Sequence, residues 1–201
     1  MRRTLTATGS ILLALVLVLW GSPARAGELN QPDPAGDATA VGDVESTPRP
    51  SDPELDILGV KYSSDGKEFR IDMKMAKIGQ PAAAIGFTYR LNFTHGATSY
   101  QFLYQVLAVP GIDQPVFVLR SGATGDSVTC KCSGKVNGKT ATLEIRADIA
   151  SLARGMKAFD PGAPPITPGT KFTDLVNSAD RVVGCCLVAA DFANPPTPFT
   201  F

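Results

Sequence analysis

Four cysteines, one histidine and a scatter of carboxylates are the residues of this 201-residue chain whose types could do chemistry. The cysteines come as Cys130-Lys131-Cys132 and Cys185-Cys186. The i, i+2 spacing puts Cys130 and Cys132 on one face of any strand that carries them, whereas adjacent Cys185 and Cys186 must point to opposite faces. In an oxidising compartment such residues pair. Of the three possible pairings, the two that link the clusters avoid the distorted peptide of a vicinal bridge, so at least one bridge between the clusters is expected. It would close a loop of about 55 residues, worth roughly 4 kcal/mol in the chain-entropy picture. Zinc is the competing reading, but the usual C-x2-C and C-x2-4-H spacings are missing.

Catalytic signatures are sparse. His95 is the only histidine and follows Asn92-Phe93-Thr94 at a turn, so a Ser-His-Asp triad needs this loop residue as its base. No G-x-S-x-G, H-E-x-x-H or Gly-rich phosphate loop is present. The scattered acids leave a paired-carboxylate hydrolase as the minor alternative to a chain that is not an enzyme.

The first 26 residues set the compartment. Arg2 and Arg3 precede an unbroken apolar run from Ile11 to Trp20, and Ala24-Arg25-Ala26 supplies the small residues of a signal-peptidase site. A signal peptide over 1–26 and a mature chain starting at Gly27 are expected; a buried N-terminal helix is the alternative. Ten apolar residues are too few for the roughly 30 Å of bilayer hydrocarbon, and no lipobox cysteine follows them, so a secreted protein with no membrane anchor is expected. The leader carries three arginines and no acid, so the whole chain's formal charge of zero becomes −3 for the mature part. With no basic block, nucleic acid and anionic membranes are poor partners.

The remaining 175 residues fit one domain. Residues 27–53, rich in Pro, Asp, Gly and Thr, read as an arm without apolar period, 54–193 as the folded domain, and 194–201 as a C-terminal tail. Period-two alternation marks strands over 55–62, 67–76, 85–93, 100–106 and 115–120, with a further strand placing Val128, Cys130 and Cys132 on one face. Asp65-Gly66 and Asn137-Gly138 are hairpin signals, the second preceding a strand over 139–147. Residues 148–156 form the only convincing helix, with Asp148 as N-cap and Gly155 as stop. Residues 170–176 and the apolar run 182–190 complete the list. About eight or nine strands at hairpin spacing and one short helix describe an all-β protein, an antiparallel, jelly-roll-like β-sandwich.

The order of these pieces resembles a secreted bacterial β-sandwich group in the class of DOMON domains and the family-nine carbohydrate-binding modules. The carriers are Asp33-Pro34-Ala35-Gly36-Asp37, then Leu55-Asp56-Ile57 opening a strand before an Asp-Gly hairpin, Thr142-Leu143-Glu144-Ile145 running into the helix, and a closing Ala190-Asp191-Phe192-Ala193. The cysteine clusters and the lack of a Tyr after Ala193 depart from the pattern. The resemblance implies a calcium ion near the N-terminal loop. Calcium takes six to eight oxygens, and two aspartates one Pro-Ala-Gly apart can begin to supply them. Asp33 and Asp37 are the first candidates, and Asp56 and Asp191 complete the set if both strand ends reach the loop. Alternatively Asp33, Asp37 and Asp43 are solvated loop acids and Asp56 and Asp191 are turn or cap residues.

Sugar binding needs an exposed aromatic platform, yet Phe69, Phe87, Tyr89, Phe93, Tyr100, Phe102 and Tyr104 lie on apolar sides of their strands and are expected in the core. Haem binding, known among DOMON relatives, has only Met73, Met75 and His95 as carriers, and packing accounts for both methionines. The expectation is a secreted, non-catalytic binding module for an extracellular ligand such as carbohydrate or a surface protein. A structural or protein-interaction domain without a small ligand is the alternative.

Overall fold

A computed structural model describes residues 27–38, 53–78, 85–107, 115–183, 186–193 and 197–201; the expected leader, Asp43 and Cys185 lie outside them. Two antiparallel sheets form a sandwich. The first has the order β1 (Glu28–Pro32), β2 (Ile57–Ser64), β3 (Glu68–Met75), β9 (Thr142–Asp148), β8 (Cys132–Asn137). The second has the order β11 (Cys186–Ala193), β10 (Lys171–Val183), β4 (Ile85–His95), β5 (Thr98–Leu107), β6 (Val116–Ser121), β7 (Ser127–Val128), with β12 (Phe199–Thr200) pairing the start of β10.

Alternation decides which faces meet. Phe69, Ile71, Met73 and Met75 of β3 are all buried, as are Phe87, Tyr89, Leu91 and Phe93 of β4 and Tyr100, Phe102 and Tyr104 of β5. The seven aromatics expected in the core are therefore there. A buried polar link crosses between the sheets: the Tyr62 hydroxyl donates to Asn177 Oδ1 at 2.7 Å, and Asn177 Nδ2 donates to the Ala193 carbonyl at 2.8 Å. Tyr62 Oη and Asn177 Oδ1 and Nδ2 thus each have a partner, which is what makes them tolerable in an apolar interior.

The Asp-Gly hairpin joins β2 to β3, with Asp65 Oδ1 accepting from the Lys67 and Glu68 amides and Gly66 at φ 84°. The helix, α1 (Ile149–Phe159), begins as expected: Asp148 caps it by accepting from the Ser151 amide at 2.7 Å. It does not stop at Gly155. A Cβ there would come within 2.0 Å of the Thr129 carbonyl oxygen, so this glycine serves a close approach of two backbones rather than a helix end.

The run 182–190 divides between two strands, because Val183 pairs with Cys186 and the chain doubles back. In the expected arm, residues 28–32 add β1 to the edge of the first sheet, in register with β2 from Glu28↔Ser63 to Pro32↔Gly59. In the expected tail, Phe199 is fully buried in a ring cluster with Tyr62, Phe69, Phe172 and Phe201. Gly27 lies against Thr200, where a Cβ would meet the carbonyl oxygen at 2.0 Å, and its own carbonyl accepts from the Ser64 amide at 2.9 Å.

The bridge differs from the expected one. Cys130 closes on Cys132, with Cα atoms 5.3 Å apart, in place of a link to Cys185 or Cys186. Sheet order supplies the reason. Cys132 opens β8, an edge strand that packs near β6, whereas Cys186 opens β11 at the opposite edge of the other sheet, near β2. The two also sit at opposite ends: Cys132 is level with Ala147 and Phe69, and Phe69 packs on Phe172 at the start of β10, while Cys186 pairs with Val183 at its finish. Four strand spacings of about 4.8 Å separate β11 from β6, and a disulfide tolerates no more than about 7 Å between Cα atoms.

Candidate metal centre

Three of the four expected aspartates converge. Asp33 follows β1, Asp37 lies beyond the turn at Ala35 and Gly36, and Asp191 projects inward from β11; one carboxylate oxygen of each lies within 4.8 Å of the others. The loop is held in place from both sides. The Asp33 amide donates to the Leu58 carbonyl at 3.2 Å, and the Gly36 amide donates to Asp56 Oδ1 at 2.8 Å. Gly36 itself has φ 86°, the left-handed conformation that lets the chain turn between the two aspartates. Asp191 Oδ2 accepts from the Ile57 amide at 2.6 Å, which ties the end of one sheet to the start of β2 in the other.

Asp56 is buried beside the cluster and serves it differently. Its side chain fixes the loop through Gly36 and its carbonyl accepts from the Ala76 amide at 2.9 Å. It belongs to the site as the residue that shapes the loop, outside the trio whose oxygens meet.

The electrostatics are those of acids gathered together. Asp33 is pushed up to about 7, first by burial and then by the charges of Asp191, Asp37 and Asp56. Asp191 is also raised, chiefly by burial, against the lowering effect of the Ile57 and Phe192 amides. Asp33 Oδ2 is buried with no hydrogen-bond partner. Like charges and an unpaired buried oxygen are costly in a folded protein unless a proton or a cation compensates them. The donor set is all oxygen, which suits a hard cation and not zinc.

The other candidates are accounted for by packing. Met73 and Met75 are fully buried in the core. His95 is buried too; its Nε2 donates to the Pro164 carbonyl at 2.8 Å and its ring meets Phe172 edge-on at 5.3 Å between centroids. Among the described residues it faces a backbone carbonyl and a phenyl ring, and its Nδ1 has no hydrogen-bond partner.

A second feature was not read from the sequence. The outer face of the seven-stranded sheet carries a largely polar grid in register across five strands, in which Ser178, Asp180 and Leu103 are themselves buried. Phe192 is opposite Ser178, Ser178 opposite Arg90, and Arg90 opposite Leu103; one step along, Asn92 is opposite Gln101 and Gln101 opposite Arg120. Arg90 pairs with Asp180, and Gln101 Nε2 donates to Asn92 Oδ1 at 2.7 Å. Phe192, 51% exposed, is the only exposed large hydrophobic side chain among the described residues, and it stands at the end of this grid. Its place next to inward-facing Asp191 was the available signal: on a strand, the neighbour of an inward residue faces out.

No protein-family model matches this chain, and no curated protein or solved structure matches it significantly either. The sandwich architecture that the resemblance implied is present; no family is assigned.

Proposed function

We propose that this chain is a secreted, non-catalytic β-sandwich binding module stabilised by a calcium ion on Asp33, Asp37 and Asp191. The observation that carries the reading is the convergence of three carboxylates from two distant parts of the sequence, with Asp33 Oδ2 buried and unpaired among them. Calcium at 2.3–2.6 Å from its oxygens would meet that unpaired atom and cancel the mutual repulsion. The test is calorimetric titration with calcium and, separately, magnesium. Calcium should bind with one-to-one stoichiometry and magnesium more weakly, because its octahedral shell is tighter. Absence of calcium binding to folded protein would refute the reading.

The site also predicts a dependence on pH. A folded Asp33 at about 7, against an ordinary value of 3.8, holds a proton that the unfolded chain has lost. Stability therefore falls as pH rises from about 4 to about 7, with the sign opposite to that of an ordinary paired carboxylate. Calcium displaces that proton, so its affinity should rise with pH over the same window. Melting curves at pH 5 and pH 8 with chelator should show the acidic sample more stable with respect to this group, and calcium should help most at pH 8. A calcium affinity flat between these pH values would remove Asp33 from the ligand set.

For the ligand itself, the outer face supports an uncharged, hydrogen-bonding partner. Arg90 and Asp180 neutralise each other, Asn92, Gln101 and Gln105 supply amides, and Phe192 offers a ring on which a sugar's C–H face can rest. Affinity electrophoresis in gels containing neutral polysaccharides should show retardation that Phe192→Ala abolishes. No retardation by any polysaccharide, with the fold intact, would favour the domain without a small ligand.

A further inference from the structure

We propose that the Cys130–Cys132 bridge is a thiol–disulfide exchange site for a protein dithiol that lays an apolar side chain in the groove beside it. The groove, of about 190 Å³, is lined by Phe117, Leu119 and Val128 on its apolar side, by Ser127 and Thr129, and by the two cysteines. Both cysteines are half-buried and line this groove.

Two observations carry the inference. The bridge spans one intervening residue, so it removes little freedom from the unfolded chain. By linkage the fold then does little to protect the bridge, which is the condition under which a reductant can open it while the protein stays folded. Second, the segment is held by bonds other than the sulfur bond. The Lys131 amide donates to Ser151 Oγ at 2.8 Å, and the Lys131 carbonyl accepts from the Asp148 amide at 3.0 Å. On the far side Cys132 is held in β8 opposite Ala147. Two thiols released here remain near one another, and closing the bridge again is a local event.

The exchange balances. A thiolate of the partner attacks the sulfur of one cysteine, forming a mixed disulfide, and the other cysteine leaves as a thiolate that takes up a proton. The partner's second thiolate attacks the mixed disulfide, forms the partner's own disulfide and frees the remaining cysteine. Two electrons and two protons pass from the partner dithiol to Cys130 and Cys132.

The test uses the full exported chain in a ladder of reduced and oxidised glutathione, with differential alkylation read by peptide mass spectrometry and melting followed in parallel. Opening of Cys130–Cys132 within the ladder, with the melting temperature moved by no more than a few degrees, is expected. A bridge that opens only after denaturant is added, or sulfurs found joined to Cys185 or Cys186, would overturn the proposal. Cys132→Ser keeps it falsifiable if reduction proves hard to follow. In oxidised glutathione, Cys130 of folded Cys132→Ser should acquire the adduct at least several-fold faster than the same variant in urea, and an equal or slower rate would overturn it. Finally, a synthetic peptide with two cysteines and a leucine beside the first should be oxidised by one equivalent of the bridged chain; an unoxidised peptide counts against the site.

Discussion

Phe199→Ala is expected to destabilise the protein by about 3–5 kcal/mol, the range for truncating a buried phenyl ring. A domain of this kind has only about 5–15 kcal/mol in total, so the variant should unfold at markedly lower denaturant and approach the point of failure at physiological temperature. The ring has no exposed surface and meets Phe69 at 5.1 Å and Phe201 at 4.9 Å between centroids. The rest of its strand is too short to hold alone: β12 makes two register pairs with β10, Lys171↔Thr200 and Phe172↔Phe199. Loss of the ring should therefore release residues 199–201 as well as leave a cavity. Urea unfolding of Phe199→Ala and of Phe192→Ala provides the contrast, since Phe192 is on the outer face and should change the midpoint by little. Equal midpoints for Phe199→Ala and wild type would mean that the C-terminal strand does not plug the core.

The second large effect is that of calcium on melting. At 100 times its dissociation constant, an ion that binds only the folded state adds about 2.7 kcal/mol. For a domain of this length that corresponds to a rise of roughly 5–10 °C. Asp33→Ala and Asp37→Ala should each remove most of the rise. Asp191→Asn should weaken it while preserving an acceptor for the Ile57 amide, which separates loss of charge from loss of the tie between sheets. Asp56→Asn should reduce it indirectly, through the loop that Gly36 anchors. Asp65→Ala, in the distant hairpin turn, should leave the calcium shift intact even though the turn loses the acceptor for Lys67 and Glu68. A melting curve indifferent to both calcium and chelator would reduce the aspartates to charges held together by backbone geometry alone.

Where one face of a strand is dry and the other wet, the residues announce it. The β3 and β4 alternation, the Asp65-Gly66 turn and the Asp148 cap were legible because each rests on a local rule of side-chain direction or backbone conformation. Gly155 shows where a local rule fails: its role comes from Thr129 crossing the helix, a contact set by tertiary packing. Likewise β1 carries no apolar period because it is an edge strand recruited through backbone pairing, and Phe199 gave no signal because two residues cannot express a period. The acidic site was readable only as far as its members. Asp33 and Asp37 are near in sequence, and Asp191 was placed by resemblance, but their meeting depends on β11 lying alongside β2 across the sandwich. The cysteine pairing was misjudged because avoiding a vicinal bridge at Cys185-Cys186 says nothing of which edge of which sheet each cluster occupies.

The contact between Gly27 and Thr200 has a mechanical consequence. With these residues side by side, a tether on the one and a tether on the other leave the molecule from the same point. Tension between them falls first on the five rungs joining β1 to β2 and the two joining β12 to β10, and the large central strands bear none until those have parted. Such a geometry should open like a zipper, at low force and in a fixed order, with the short C-terminal strand giving way first. In a chain cut to begin at Gly27, the same proximity lets a short linker join residues 27 and 201 into a ring, and Gly125, in a turn where a Cβ would meet nothing within 4 Å, is then a natural place to open it.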